Sequence, residues 1–220
     1  MATLTAASAE SAAPPTAAAE DAPRVINRRK VAAWEILGFV VIFFAGSFLH
    51  FIFELSGFNT LFAPFGSVNE STWEHLKLFY WPALLFAVVQ HAFIRHEVNN
   101  FWAAKAHSIV LTPLVVAIAF YAYVGIVVPI DGKGTLAGTL VTAAIGVALG
   151  QWASYRLLVG PQRSNRWHWA GVTAILAMGV AFIVFTFLPP RIFLFENFFG
   201  YVYDGQFGIL ADYTPYLVFK

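Results

Sequence analysis

The sequence predicts an all-α membrane protein: a bundle of about five transmembrane helices, amino terminus cytoplasmic and carboxyl terminus extracytoplasmic. Three observations carry that expectation. Hydrophobic residues fill 59% of the chain and charged residues 11%, where an ordinary soluble domain carries about 25% charge. The apolar residues gather into five runs, each near the roughly 20 residues that cross a hydrocarbon core. Nine of the 13 Lys and Arg fall on one side of those runs, and the positive-inside rule makes that side cytoplasmic.

Composition also excludes several functions. The net charge of +1 gives no electrostatic reason to expect nucleic acid. With no cysteine there is no disulfide, thiolate nucleophile or Cys-ligated metal centre.

The elements follow in order. Residues 1–30 open on Ala, Ser, Thr, Pro and Glu with little to bury, and are expected to form a disordered cytoplasmic tail. The basic cluster Arg24, Arg28, Arg29 and Lys30 lies too far in, and the apolar run behind it is too long, for a cleaved signal peptide. The transmembrane domain is expected over residues 31–190. Its five segments run approximately Val31–Phe53, Trp73–Ile94, His107–Pro129, Thr135–Leu158 and Trp167–Leu188. In lipid each must be helical, because only a helix satisfies its own backbone there without neighbours. Pro82 and Pro113 fall inside the second and third and should kink them or loosen a turn. Residues 191–220 are too polar to span and too apolar for free coil, so they should lie against the bundle at the interface. The chain is therefore expected in a cell membrane, the inner membrane if its source is a bacterium, with the lipid bilayer as its first partner.

One packing signal is clear. Gly134, Gly138, Thr142, Gly146 and Gly150 recur every four residues along the fourth span, a ridge on which another backbone can approach closely. It could serve packing within the chain, or contact in a homo-oligomer or a membrane complex.

The chemistry concentrates at Val68-Asn69-Glu70-Ser71-Thr72-Trp73-Glu74-His75-Leu76-Lys77, opening the second span on the outer side. On an ideal helix Glu70, Glu74, Lys77 and Trp81 form one stripe, while His75 points about 100° from Glu74. Ser71 and Glu74 also have the spacing of a capping box, in which Glu74 would reach back to the cap nitrogen. Glu70, Glu74, His75 and Lys77 are the candidate catalytic groups, with Asn69, Trp73 and Trp81 as candidate binding residues. At the end of the first span His50 and Glu54 stand at i and i+4, on the same outer interface. Facing the decapeptide they would add nitrogen and oxygen ligands suited to zinc or a similar divalent metal. The same groups suit a proton relay or simple helix capping. A second polar set, Glu35, His91, His96, Glu97, Lys105 and His107, lies toward the inner side, mostly near helix ends where it can snorkel or pair. No phosphate-binding Gly-rich loop or HExxH motif is present.

The decapeptide, read as V-N-E-S-x-W-E-H-L-K, resembles the signature of a small uncharacterised prokaryotic integral membrane protein family, a domain of unknown function. The likeness extends to His50 and Glu54, to Ala104-Lys105, to Phe185-Thr186-Phe187-x-Pro189-Pro190 and to Asp204-Gly205-Gln206-Phe207-Gly208-Ile209. Arg191 stands where a His is expected, and the stretch from Glu196 to Asp204 is longer than usual. The resemblance implies no activity, only that the decapeptide is the functional centre. Three functions stay open. The first is a metal-assisted membrane enzyme acting on a lipid-like substrate, with Glu70 or Glu74 as general base. The others are a small transporter or proton-coupled carrier, and a non-catalytic assembly partner docking through the Gly ridge.

Overall fold

The structure, a computed structural model, describes residues 25–210. Most of the expected amino-terminal tail and the last ten residues lie outside the described residues. Six helices follow in order: α1 (Arg28–Leu49), α2 (Ile52–Leu55), α3 (Thr72–Ile94), α4 (Phe101–Asp131), α5 (Leu136–Leu158) and α6 (Asn165–Phe187). All but the four-residue α2 are long and apolar enough to cross a membrane. Among the described residues there is no strand, only one antiparallel bridge between Glu196 and Phe207. The chain is a multi-pass membrane-embedded helical bundle.

Local chemistry sets the helix starts. Asn27 Oδ1 accepts from Lys30 N at 3.1 Å, and Thr135 Oγ1 accepts from Gly138 N at 3.1 Å. Two boundaries differ from the sequence expectation, for physical reasons. The first span stops at Leu49 rather than Phe53: the chain turns at His50 and Phe51, then resumes as α2. The third begins at Phe101 rather than His107, because its polar residues are satisfied within the helix or bundle. His107 Nδ1 donates to Ala103 O at 2.7 Å, and Lys105 Nζ lies 2.6 Å from Glu35 Oε1. Pro82 and Pro113 both lie inside continuous helices, and so does Pro129.

The helices are arranged with α4 between α5 and α6, and α1 against α3 and α5. Small residues permit the close contacts. A Cβ at Gly146 would stand 2.3 Å from Val116 Cγ2 and 3.0 Å from Thr112 O, so the ridge of α5 is filled by α4 of the same chain. Ile36, Phe44, Leu85, Ile118, Ile130 and Leu176 are all well exposed, as lipid-facing side chains are. Polar side chains turn inward instead. Glu35, Gln90, Lys105, Ser108 and Gln151 are buried together near the end of the bundle that holds the start of α1. There Lys105 pairs with Glu35, Gln90 Nε2 donates to Glu35 Oε1 at 2.8 Å, and Ser108 Oγ donates to Gln151 Oε1 at 2.6 Å. This network ties α1, α3, α4 and α5 together where water cannot satisfy them.

Candidate functional site

At the other end of the bundle the chain from Leu55 to Ser71 folds over the start of α3. Ser71, extended at ψ 153°, is the N-cap, and its Oγ accepts from Glu74 N at 3.3 Å. Only half of a capping box forms. Ser71 N donates to Asn69 Oδ1 at 2.8 Å, and the Glu74 carboxylate accepts from Val68 N at 3.0 Å instead. Glu70 thus stands outside the helix, ahead of its cap. The expected stripe of Glu70, Glu74, Lys77 and Trp81 does not exist, because Glu70 lacks helical geometry.

The polar residues consequently divide into two groups. Glu74 and Lys77 form an ion pair whose side chains are 3% and 0% exposed. Lys77 Nζ also donates to Ala63 O at 2.7 Å and to Thr186 Oγ1 at 3.0 Å. Three donors on the ammonium thereby meet three acceptors, which is what makes a buried charge tolerable.

Glu70 lies on the other side, with His50 and His75. His50 Nε2 is 3.6 Å from Glu70 Oε1, and His75 Nε2 is 3.5 Å from Glu70 Oε2. The two imidazole centroids are 5.1 Å apart. Among the described residues these three are the group whose ligand atoms all come within 4.8 Å of one another. Their side chains are 28%, 21% and 35% exposed for His50, Glu70 and His75, so the group opens outward where the Glu74–Lys77 pair is sealed. Glu54 stands on α2, beyond the turn at His50, and does not share a continuous helix face with His50.

The protons of this group can be traced. His75 Nδ1 lies 2.8 Å from Ser71 O, and a carbonyl only accepts, so Nδ1 carries the hydrogen. In the neutral ring Nε2 then presents a lone pair to the Glu70 carboxylate. Two acceptors face each other unless His75 takes a second proton or a cation lies between them. His50 is less tied: its Nδ1 is buried without a hydrogen-bond partner among the described residues, and its Nε2, at 3.6 Å, is too far from Glu70 for a good hydrogen bond. Burial pushes the Glu70 carboxyl upward, but the neighbouring His50 and His75 together outweigh it and hold the group below its usual 4.5. Glu70 is an anion at neutral pH. Two imidazoles and a carboxylate, each partly exposed, match in type and number the three-ligand donor set of catalytic zinc sites. The Ser71 carbonyl holds the His75 ring through Nδ1, the kind of contact that orients histidine ligands in metal sites.

The remaining candidates brace this arrangement. Asn69 Nδ2 donates to Gly208 O at 2.8 Å. Trp73 N donates to Leu194 O at 2.9 Å, and its ring packs 4.7 Å from those of Phe182 and Phe195. Trp81 Nε1 donates to Pro64 O at 2.8 Å. Sequence reasoning missed two residues. Asn197 Oδ1 accepts from Glu70 N at 2.8 Å and Asn197 Nδ2 donates to Asp204 Oδ2 at 2.6 Å, which fixes Glu70 from the tail. Thr186 completes the shell around Lys77. The Asp204–Ile209 and Phe185–Pro190 motifs marked both neighbourhoods without identifying these contacts.

The fold and site define a five-span helical membrane protein with a His/Glu cluster at one end of the bundle. Residues 24–209 match the model of a family of unknown function (DUF6512), and the chain belongs to that family. Neither a protein of curated function nor a solved structure matches the chain.

Proposed function

We propose that the protein is a metal-assisted membrane enzyme in which His50, Glu70 and His75 hold a divalent ion, zinc by donor chemistry, at the outer membrane interface. The observation that carries this reading is the spacing of the three groups. At 3.5–3.6 Å the imidazole nitrogens are too far from Glu70 for strong hydrogen bonds, yet both converge on it, and the Nε2 lone pair of neutral His75 is unmatched. When bound, such a metal would supply a hydroxide at neutral pH or polarise a substrate carbonyl or phosphoryl oxygen. Glu74 is saturated by Lys77 and Val68, which leaves it no role as a general base and makes it a scaffold. A lipid-like substrate is supported by the loop beside the site, where Leu55, Phe58, Leu61 and Phe65 are exposed, Leu61 at 72%. The outward orientation rests on the cation asymmetry of the sequence, and a bacterial chain would carry it in the inner membrane.

The test is hydrolysis or transfer on defined lipids. Purified full-length protein in lipid nanodiscs, loaded with zinc, is incubated with ester and phosphoester lipids, and products are followed by mass spectrometry. Turnover that is lost on chelation and in Glu70→Gln is expected. A zinc-loaded protein that converts none of these lipids would sink the enzyme reading and leave the metal site standing.

A further inference from the structure

The opposite end of the bundle carries a hollow of about 320 Å³ between the end of α3, the start of α4 and the start of α6. Arg95, Arg163, His91, His96 and His168 all line it, and among the described residues no acidic side chain does. Glu97, the nearest carboxylate in sequence, is taken by Lys30 at 2.6 Å. The walls are built rather than loose. Asn100, at φ 53°, donates to Leu157 O at 3.0 Å and to Pro161 O at 2.8 Å, while its Oδ1 accepts from Arg163 N at 2.7 Å. Arg163 lies over the Trp167 ring at 5.1 Å, and Arg95 Nε donates to His96 Nε2 at 2.8 Å. The positive-inside rule accounts for cations at this end, but not for five cationic or potentially cationic side chains from three segments meeting in one concavity with no counter-charge among the described residues.

We propose that this hollow binds a phosphate group, that of an anionic phospholipid headgroup or of a soluble phosphate ester. Arginine offers a planar fork of donors that matches phosphate oxygens two at a time. Each imidazole carries at least one N–H whatever its charge, and Ser164 and Asn165, at the start of α6, line the same space. The surroundings fit an amphipathic ligand. Phe93 at 62%, Trp167 at 46% and Trp169 at 61% exposure stand beside the charged residues in sequence, apolar surface that acyl chains can cover. Basic pockets between spanning helices hold lipid headgroups in this way.

The test uses the full chain in detergent, with phosphatidylglycerol, phosphatidylcholine and glycerol phosphate as probes, read by native mass spectrometry and by competition. Phosphatidylglycerol should bind well above phosphatidylcholine. The double variant Arg95→Gln/Arg163→Gln should lose roughly 25-fold in affinity, about fivefold per arginine. Arg156→Gln should lose nothing, because Arg156 lies over Trp152 at 5.4 Å, outside the hollow. If glycerol phosphate displaces the lipid at comparable concentration, the natural source is a soluble ester; if only the lipid binds, it is a headgroup. Both results support the proposal. It is overturned if no probe binds, if the double variant binds as wild type does, or if Arg156→Gln costs as much as the pair. His168→Gln, a milder change, is measured alongside and should cost several-fold while melting as wild type does.

Discussion

Glu74–Lys77 and His50–Glu70–His75 are assembled from the same few residue types, partly from one decapeptide, yet they are opposite kinds of structure. In the first, each charge is enclosed, and Lys77 spends its three donors on Glu74, Ala63 O and Thr186 Oγ1. In the second, the polar atoms stand more than 3.4 Å apart, a fifth to a third exposed, with the Nε2 lone pair of neutral His75 facing a carboxylate. Saturation and exposure, rather than residue identity, separate scaffold from site. The comparison teaches that one short stretch of this chain, Glu70 to Lys77, contributes to both.

The largest expected effect breaks the scaffold. Lys77→Met leaves the Glu74 carboxylate buried with one backbone donor, and should cost about 3–5 kcal/mol. Thermal melting in detergent should show most of the folded protein lost, and an unchanged melting point would mean the pair is not buried. Glu70→Gln is the contrasting substitution. It should leave melting within about 0.5 kcal/mol of wild type while weakening zinc binding by at least roughly 100-fold, more than changes beyond the ligand shell do. Equal destabilisation by the two variants would erase the distinction drawn here.

A smaller effect tests the frame that holds both groups. Gly146→Leu drives a side chain into Val116 and the Thr112 backbone, so it should destabilise the α4–α5 contact by about 1–3 kcal/mol. A variant that melts with wild type would show that the two helices can separate at no cost.

The smallest effect concerns pH. The Glu70 pKa lies below 4.5, so its contribution to stability is complete above pH 4.5 and is lost only as pH falls through the lower folded value. Between pH 7.5 and 5.5 the carboxylate therefore stays charged, and zinc affinity should fall only as protons compete with the metal for the imidazole nitrogens. An affinity that is flat to pH 5 would remove the histidines from the ligand set.

The fold was largely legible in the sequence, because hydrophobic length is a direct consequence of bilayer thickness. The five spans appear where the apolar runs lie. Boundaries went astray where a polar residue finds a partner far away in sequence: Lys105 ends no helix, because Glu35 is waiting for it 70 positions upstream. The site was legible as a neighbourhood and not as a geometry. Helical periodicity placed Glu70 beside Glu74, but one extended residue, Ser71, turns Glu70 out of the helix toward His50 and His75. The Ser-x-x-Glu spacing correctly marked the cap, yet Glu74 turned to Val68 and Lys77 because Asn69 had already taken the cap nitrogen. The contacts of Asn197 and Thr186 could not be read, although Thr186 lies in a motif the resemblance marked, since nothing local distinguishes a polar residue that reaches across the fold from one that faces water.

The central claim is that His50, Glu70 and His75 hold one metal ion, and metal stoichiometry tests it most directly. Full-length protein is purified, exposed to one equivalent of zinc per chain, desalted and assayed for metal beside His50→Ala, Glu70→Gln and His75→Ala. The account predicts close to one zinc per wild-type chain and little in any of the three variants, while Glu54→Gln, Arg191→Gln and wild type agree. Wild-type protein that retains no zinc, or variants that retain as much as wild type, would contradict it.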